Sequence, residues 1–490
     1  MNRIIFSKLI LILYSIIFSF TIKSYGQKQD YSKNEVIKVL DEIRSSIEVV
    51  HPNPYHSTSK QNIDSIQKSL VQNLPDQLSE IELYKVLLPI VNSFNDGHIQ
   101  LPCPFGKYLN KGLNNGKGLF PFTLYQNNDD VFIKISVFDE IVKPGYQLVS
   151  IDNKSIGSII DDYSRYKHSD NLVIRKSKVV DDFTALDFFA NRGKDSYLIG
   201  YKRSKNDSVQ FCTINSAKIK DIIKFNRSYK PNNTEYFSNS IIKLPNLIYL
   251  QLHPSKNVAL LTLPSFDISK DQELVYKEKI DSVFSILNAR KIDTLLIDIR
   301  NNEGGRDYPS LCILDYIATN DYSMGKAYLK RSLHQKKLYE EILKEELSDS
   351  SYLKSPEYNN YFLTNDGSIV ELDSSAIKVK NRVKYNGKVF VLIGSKTFSA
   401  ALTFASTCKC YNFATLIGEE TFGRTSTYTS LVPIQLSIPN ITLMVAHRMV
   451  KNACSQGFNY GLTPDIEIKR THDDYLNGKD SVIEYFLNVN

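Results

Sequence analysis

The stretch "VFVLIGSKTFSAALTFAS", residues 389–406, predicts the centre of the fold. An apolar run, Val389–Ile393, is followed by a short polar break and then by small and apolar residues at helical spacing, predicted to form a helix over 399–410. Ser399 stands at the turn from strand to helix. A hydroxyl there is either a nucleophile presented by a tight turn or an ordinary residue that caps the helix.

The same alternation of strand and helix continues on both sides of this stretch. Apolar strands such as "VALLTLPSF" and "IDTLLIDIR" are separated by helical patterns over 269–290 and near 308–318. Strands separated by helices are typical of a layered α/β fold. We therefore predict an α/β core over residues 246–490, interrupted by a charged, tyrosine-rich insertion over about 326–385.

Three other regions precede this core. Residues 27–117 have helical periodicity and end in the motif "NDGHIQL", which contains His98. Residues 118–215 have strand and turn patterns, and "VKPGYQLVSIDNKSIGSIIDDY" resembles the centre of a PDZ domain. A β-rich, degenerate PDZ-like module with a long insertion over 162–194 is therefore predicted there. Residues 216–245 are mostly polar and are predicted to be a linker.

The first residues and the overall composition indicate an exported globular protein. Residues 1–26 combine a basic start, an apolar segment and small residues near a cleavage point, which is typical of a signal peptide; an uncleaved membrane anchor is the alternative. Hydrophobic residues make up 42% of the 490 residues, enough for a sizeable core. Removal of residues 1–26 leaves 57 basic and 53 acidic residues, a weak net charge of +4. No basic cluster points to nucleic acid, and no later segment predicts a membrane span.

The six cysteines, at positions 103, 212, 312, 408, 410 and 454, have no metal-binding spacing. We predict no metal and no cofactor. One disulfide is possible in an oxidising compartment.

A second stretch, "LLIDIRNNEGGRD" at residues 295–307, has a glycine pair soon after a predicted strand. Glycines there allow the backbone to turn with its N–H groups facing a ligand, and such groups could bind an oxyanion. A plain turn between strand and helix is the alternative.

Four motifs in order resemble the C-terminal processing, or tail-specific, serine proteases. They are a strand that ends in Asp-Ile-Arg-Asn-Asn-Glu-Gly-Gly, a Ser-Ala-Ala turn, a Gly-Glu-x-Thr-x-Gly segment and a closing Gly-x-x-Pro-Asp, at residues 298–305, 399–401, 418–423 and 461–465. The resemblance implies a ClpP/crotonase-like catalytic core with Ser399 as nucleophile. It also implies that the N–H groups of Gly304 or Gly305 and of Ala400 bind the oxyanion.

One position separates the branches of this family. Where the bacterial processing branch has a lysine base, this chain has Arg424, which cannot act as a base because it stays protonated. The resemblance is therefore closer to the branch similar to the tricorn protease core, and it implies His98 as base. The glutamate of that branch is absent, so the group that orients His98 is open between Ser426, Asn459 and Asp96. Arg424 could hold a substrate carboxylate or form a structural ion pair.

Two functions remain open at this point. The first is a secreted serine peptidase acting on peptide or protein substrates. The second is a non-catalytic binding protein on the same scaffold, similar to the retinoid-binding proteins of the eye. A large separation between His98 and Ser399 in the folded chain would favour the binding protein.

Overall fold

The computed structural model describes residues 30–138, 141–228, 235–337, 364–371, 376–379, 383–455, 457 and 460–488. The predicted signal peptide lies outside these residues, as does Asn459. Among the helices of the described part, none has the length and apolar character needed to cross a membrane.

The N-terminal region is mainly helical, as its periodicity predicts. The helix α1 begins with a capping box, in which the side chain of Ser32 accepts the backbone N–H of Glu35 and the side chain of Glu35 accepts the backbone N–H of Ser32. The elements of this region are β1 (Asp30–Ser32), α1 (Lys33–Val50), α2 (Lys60–Gln72), β2 (Gln77–Ser79), α3 (Glu80–Asn92), β3 (Ile99–Gln100) and α4 (Phe105–Asn114).

The β-rich module is an antiparallel sheet of order β4-β5-β6-β8-β9, with β7 paired to β6. Three helices follow β7, and two of them occupy the predicted insertion over 162–194. The elements are β4 (Phe122–Asn127), β5 (Asp130–Ser136), β6 (Gln147–Ile151), β7 (Lys154–Ser155), α5 (Ile156–Ser164), α6 (Leu172–Asp181), α7 (Phe183–Asn191), β8 (Ser196–Lys202) and β9 (Gln210–Asn215).

The segment predicted as a linker contains regular structure at both ends of its described part. It includes the helix α8 (Ile219–Ser228), and it ends in the strand β10 (Ile242–Leu244), which is an edge of the main sheet. The segment is mostly polar because this helix and this edge strand bury only a few apolar side chains, such as Ile222 and Ile242.

The core is a seven-stranded sheet of order β10-β11-β12-β13-β16-β17-β20, parallel from β12 onward. Its elements and those of a second sheet are β11 (Ile248–Leu252), β12 (Val258–Thr262), a 3₁₀ turn (Lys270–Gln272), α9 (Glu273–Ala289), β13 (Thr294–Asp298), α10 (Tyr308–Ile317), β14 (Gly325–Lys330), β15 (Ile369–Glu371), β16 (Lys388–Ile393), α11 (Ala400–Cys410), β17 (Thr415–Gly418), β18 (Ser426–Gln435), β19 (Thr442–Asn452), β20 (Ile466–Glu467), α12 (His472–Asn477) and α13 (Ser481–Asn488).

Helices cover both faces of this parallel sheet, which explains why its strands are almost continuously apolar. The helices α9, α10 and α11 pack on one face, through fully buried residues such as Phe284 and Phe404. The helix α13 packs on the other face, where Phe486 contacts the cluster around Leu296 and Leu392. The mixed α/β architecture agrees with the pattern of the sequence.

A second, antiparallel sheet of order β15-β14-β19-β18 joins the core to the N-terminal region. The strand β3 pairs with β19, and β14 and β15 come from the predicted insertion over 326–385, whose remaining part lies largely outside the described residues. A disulfide between Cys410 and Cys454 ties the end of α11 to the turn after β19.

Arg300 connects the end of β13 with the C-terminal helices. Its guanidinium pairs with Asp298 at 2.7 Å and with Asp480 at 2.8 Å, and its side chain is only 16% exposed. The negative charges of Asp298 and Asp480 are thus both compensated by this one largely buried guanidinium.

We expect the substitution Arg300→Met to lower the free energy of unfolding by about 3–5 kcal/mol, because it leaves both carboxylates without their cation. Urea unfolding followed by circular dichroism measures this change. The matched control is Arg306→Met, which removes an ion pair with Glu273 whose arginine is 45% exposed and should cost no more than about 1 kcal/mol. Equal losses in the two variants would contradict this role of Arg300.

Candidate active site

Ser399 lies at the carboxyl end of the central strand β16, immediately before helix α11, as the sequence predicts. Its backbone has φ 52° and ψ −126°, a combination that residues other than glycine rarely adopt. Such a conformation costs about 1–3 kcal/mol and persists only where neighbouring contacts impose it. The Ser399 side chain makes no capping hydrogen bond with the helix, so the capping alternative does not describe this serine.

Two residues hold this turn against the neighbouring loop. Thr397 Oγ1 donates to the carbonyl of Ile299 at 3.0 Å and accepts the N–H of Gly394 at 3.1 Å. The fully buried Asn302 accepts the N–H of Phe398 with its backbone oxygen and donates its side-chain N–H to Leu263. The loops that follow β13 and β16 are therefore bonded together at the carboxyl edge of the sheet.

The glycine pair of the first loop lies directly against Ser399. A Cβ on Gly304 would come within 2.7 Å of the Ser399 Cβ, and a Cβ on Gly305 would come within 2.2 Å of the Phe266 backbone, so larger residues do not fit at either position. The N–H of Gly304 is engaged, because it donates to Asn302 Oδ1 at 2.9 Å. The N–H groups of Gly305 and Ala400 have no hydrogen-bond partner within the described part of the chain.

His98 reaches this turn from the N-terminal region. The strand β3 pairs with β19, and the N–H of Ala446 donates to the His98 carbonyl at 3.0 Å, which fixes the backbone beside the core. The His98 ring stacks on Phe398 with centroids 4.8 Å apart. Its Nε2 lies 3.3 Å from Ser399 Oγ, across 301 positions of sequence.

Burial and nearby charges set the protonation of this histidine. Burial lowers the pKa of His98 to about 4, although the Asp96 carboxylate acts in the opposite direction. Burial alone would raise the pKa of Asp96, but the hydrogen bond from His51 and the nearby histidines lower it to about 2. At neutral pH the site therefore contains a neutral His98 and an ionised Asp96.

The other predicted site residues lie outside this arrangement. Arg424 donates to Ser57 Oγ at 2.9 Å and to the backbone oxygen of Asp170, so it joins the N-terminal region to the module. Ser426 Oγ lies 2.6 Å from Ser455 Oγ, and no hydrogen bond joins it to His98 among the described residues. Neither Arg424 nor Ser426 lines the cavity at Ser399.

Two groups beside the site contain side chains of the metal-ligating types: His51, His56 and Asp96, of which His56 is half-buried, and the buried Asp96, His98 and Asp170. The first group is already committed to hydrogen bonds. His51 Nδ1 accepts the N–H of Asn53, so His51 Nε2 carries the ring proton and donates it to Asp96 at 3.1 Å. A nitrogen that donates its proton cannot ligate a metal.

A cavity of about 790 Å³ opens over Ser399 and His98. Its wall combines three parts of the chain: His98 from the N-terminal region, His168 and Lys178 from the module, and Ser399 and Gly305 from the core. A cavity of this size can accept several residues of an extended peptide or a ligand of drug size.

The sequence patterns did not identify several residues of the site. Asn302 lies within the quoted Asn-Asn-Glu-Gly-Gly motif, so its position after the strand was a usable signal. Thr397 lies two positions before Ser399, and its bond to the Ile299 carbonyl joins residues 98 positions apart, which no local pattern shows. Asp170 and Lys178 belong to the insertion over 162–194, and nothing in the sequence relates them to residues far along the chain.

The chain is similar to known proteins in sequence pattern and in fold. Residues 257–468 match the family described as Peptidase family S41. The crystal structure of mature CPAF is similar over 93% of this chain and 96% of that chain, with a TM-score of 0.65 and 15% identity. Mature CPAF complexed with lactacystin matches with a TM-score of 0.62 and 15% identity, over 93% and 97% of the two chains. No curated protein matches the chain in sequence. The family match, which includes Ser399 and the glycine pair, indicates a serine-type peptidase.

Proposed function

We propose that this protein hydrolyses peptide bonds through an acyl-enzyme on Ser399, with His98 as general base. The observation that carries the proposal is the 3.3 Å between His98 Nε2 and Ser399 Oγ, at the floor of a cavity. Nucleophile and base stand slightly beyond normal hydrogen-bond length, as is common before a substrate binds.

Each step of the reaction has a group in place. The neutral His98 takes the proton of Ser399 Oγ while the oxygen bonds to the peptide carbonyl carbon. The N–H groups of Gly305 and Ala400 stabilise the negative charge that develops on the carbonyl oxygen. His98 then returns the proton to the leaving amine as the C–N bond breaks. Water, activated in the same way, hydrolyses the ester.

The alternative, a non-catalytic binding protein, predicted a wide separation of His98 and Ser399. Their contact favours the peptidase, as does the strained backbone of Ser399, since a binding pocket has no need of that conformation. Within the described part of the chain His98 has no glutamate partner, and this observation favours the binding protein.

We further propose that the module is PDZ-like and binds or positions the substrate, and that the core is of the ClpP/crotonase type. The position of His168 and Lys178 in the cavity wall supports a substrate-related role for the module. The sheet β4-β5-β6-β8-β9 with its flanking helices is compatible with a PDZ-like module carrying a long insertion.

We expect Ser399→Ala to abolish both peptide hydrolysis and labelling by a fluorophosphonate probe, because no other group supplies the attacking oxygen. Casein digestion and in-gel fluorescence of the labelled protein measure the two effects. The control is Ser395→Ala, which alters a serine of the same turn that does not line the cavity and should behave as wild type. Equal labelling of Ser399→Ala and wild type would refute the assignment.

His98→Gln should slow acylation by the same probe by about 10²–10⁴-fold, the usual contribution of a general base. The second-order rate constant of labelling measures this loss. His253→Gln serves as the control, because His253 does not line the cavity and its loss should leave the rate unchanged. A rate for His98→Gln within a few-fold of wild type would show that another group activates Ser399.

We also propose that residues 1–26 direct export to the periplasm or the cell exterior. The disulfide between Cys410 and Cys454 supports this proposal, since disulfides persist in oxidising compartments. The exported protein should begin near Gln27, and alkylation after denaturation without reductant should modify Cys103, Cys212, Cys312 and Cys408 alone. N-terminal sequencing and mass spectrometry check both points; alkylation of all six cysteines in exported protein would contradict the disulfide.

A further inference from the structure

His98 lacks a visible partner for its second ring nitrogen. Its Nδ1 is buried and has no hydrogen-bond partner within the described residues. In a serine–histidine pair the Nδ1 must carry the proton, so that Nε2 can accept the proton of the serine. A buried N–H without an acceptor is costly, and an acceptor at Nδ1 would both fix the tautomer and stabilise the charged ring.

Asp96 is the nearest acid in sequence, and each of its two oxygens already accepts a hydrogen bond. Oδ1 accepts the backbone N–H of His98 at 2.6 Å, and Oδ2 accepts the proton of His51 Nε2 at 3.1 Å. These bonds shape the backbone around His98 and hold the Asp96 carboxylate towards His51. Asp96 therefore supplies negative charge to the site, while its oxygens already have donors.

Asp170 is the buried acid with an unused oxygen. Its Oδ1 accepts the N–H of Gly97 at 2.7 Å, immediately before His98, whereas its Oδ2 is buried and has no partner among the described residues. One ring nitrogen of His98 and one carboxylate oxygen each of Asp96 and Asp170 lie within 4.8 Å of one another. His98 Nδ1 and Asp170 Oδ2, which both lack partners among the described residues, thus belong to side chains of one buried cluster.

We propose that Asp170 is the positioning residue whose carboxylate accepts a hydrogen bond from the Nδ1–H of His98 during acylation. The proposal rests on the proposed function, in which His98 is the base. It places the third member of the catalytic group in the β-rich module, just before helix α6, and not in the core.

The backbone contacts of Asp170 explain how a residue of the module is held at the site. The guanidinium of Arg424 binds the Asp170 carbonyl and also donates to Ser57 Oγ. Arg424, which stands where the lysine branch has its base, thus fixes the residue that we assign as the partner of the histidine base. Docking of the module would accordingly complete the site, and undocking would leave His98 without its acceptor.

Three charged groups act on Asp170: Asp96 from the loop before β3, Lys178 from α6 and Arg424 from the loop before β18. Asp96 in turn faces the three histidines His51, His56 and His98. Lys178 and His98 also act on His168, which precedes Asp170 by two positions. Burial and the Asp96 carboxylate raise the pKa of Asp170 to about 6, against the Gly97 N–H, Arg424 and Lys178. Asp170 is therefore mostly ionised only above about pH 6, and only in that range can its carboxylate balance the positive charge of a protonated His98 ring.

The test compares Asp170→Asn with wild type, both as the protein of residues 27–490 that remains after removal of the proposed signal peptide. The rate constant of fluorophosphonate labelling is measured from pH 4 to pH 9. In wild type the rate should rise with an apparent pKa near 6. In Asp170→Asn it should be about 100-fold lower at pH 7.5, the order of loss that misplacement of a catalytic group produces, and the rise near pH 6 should be absent.

The matched control is Asp187→Asn, which alters another buried acid of the module. Asp187 accepts hydrogen bonds from Tyr163, Tyr197 and Asn191 and does not line the cavity. Its variant should keep the wild-type profile. An Asp170→Asn variant with the rate and profile of Asp187→Asn would overturn the proposal. If wild type itself is not labelled at Ser399, the proposed function fails first, so the two failures are distinguishable.

Two further measurements keep the proposal falsifiable should Asp170→Asn fail to fold. The downfield proton resonance of the His98 Nδ1–H should appear in wild type as pH rises through 6 and be absent in His98→Gln; its absence from wild type would overturn the proposal. Addition of EDTA should leave the labelling rate unchanged. A rate that depends on a divalent cation would mean that Asp96, His98 and Asp170 hold a metal, which would also overturn it.

Discussion

The site depends on the hydrogen bonds that join the loops after β13 and β16, the two central parallel strands of the core. Asn302 and Thr397 are the residues through which these loops meet. They hold Ser399 at φ 52°, where its side chain leaves the helix end free and points towards the cavity. Without those contacts the turn would relax to an ordinary helix start, with the serine as its cap.

Three parts of the chain then converge on this turn. The core supplies Ser399 and the N–H groups of Gly305 and Ala400, which have no hydrogen-bond partner among the residues that the structure describes. The N-terminal region supplies His98, held in place by the pairing of β3 with β19. The module supplies part of the cavity wall and, in our proposal, the acceptor for the histidine. An arrangement of this kind couples activity to the docking of domains, because no single part contains the complete set of groups.

Much of the core could be predicted from sequence, because its signals are local. The strand, turn and helix at residues 389–406 and the glycine pair after β13 lie within short windows, and their periodicity or backbone requirement is visible there. The placement of His98 opposite Ser399 came from the resemblance to a family and not from any local pattern. The polar segment over 216–245 was misleading because one edge strand and one amphipathic helix need only a few apolar residues.

The partner of His98 could not have been found in this way. Asp170 lies in a module insertion with no recognisable motif, and its importance arises from contacts with Gly97 and Arg424 across distant parts of the chain. Arg424 illustrates the same limit: its position in a motif suggested a ligand for a carboxylate, while its contacts make it a structural link between two regions.

The central claim is that Ser399 is the nucleophile of a serine peptidase. The most direct measurement is tandem mass spectrometry of the wild-type protein after reaction with a fluorophosphonate, to map the modified residue. Our account predicts one adduct per chain, located on Ser399 within the peptide that contains the turn before α11. An unmodified Ser399, or an adduct on another residue, would contradict it.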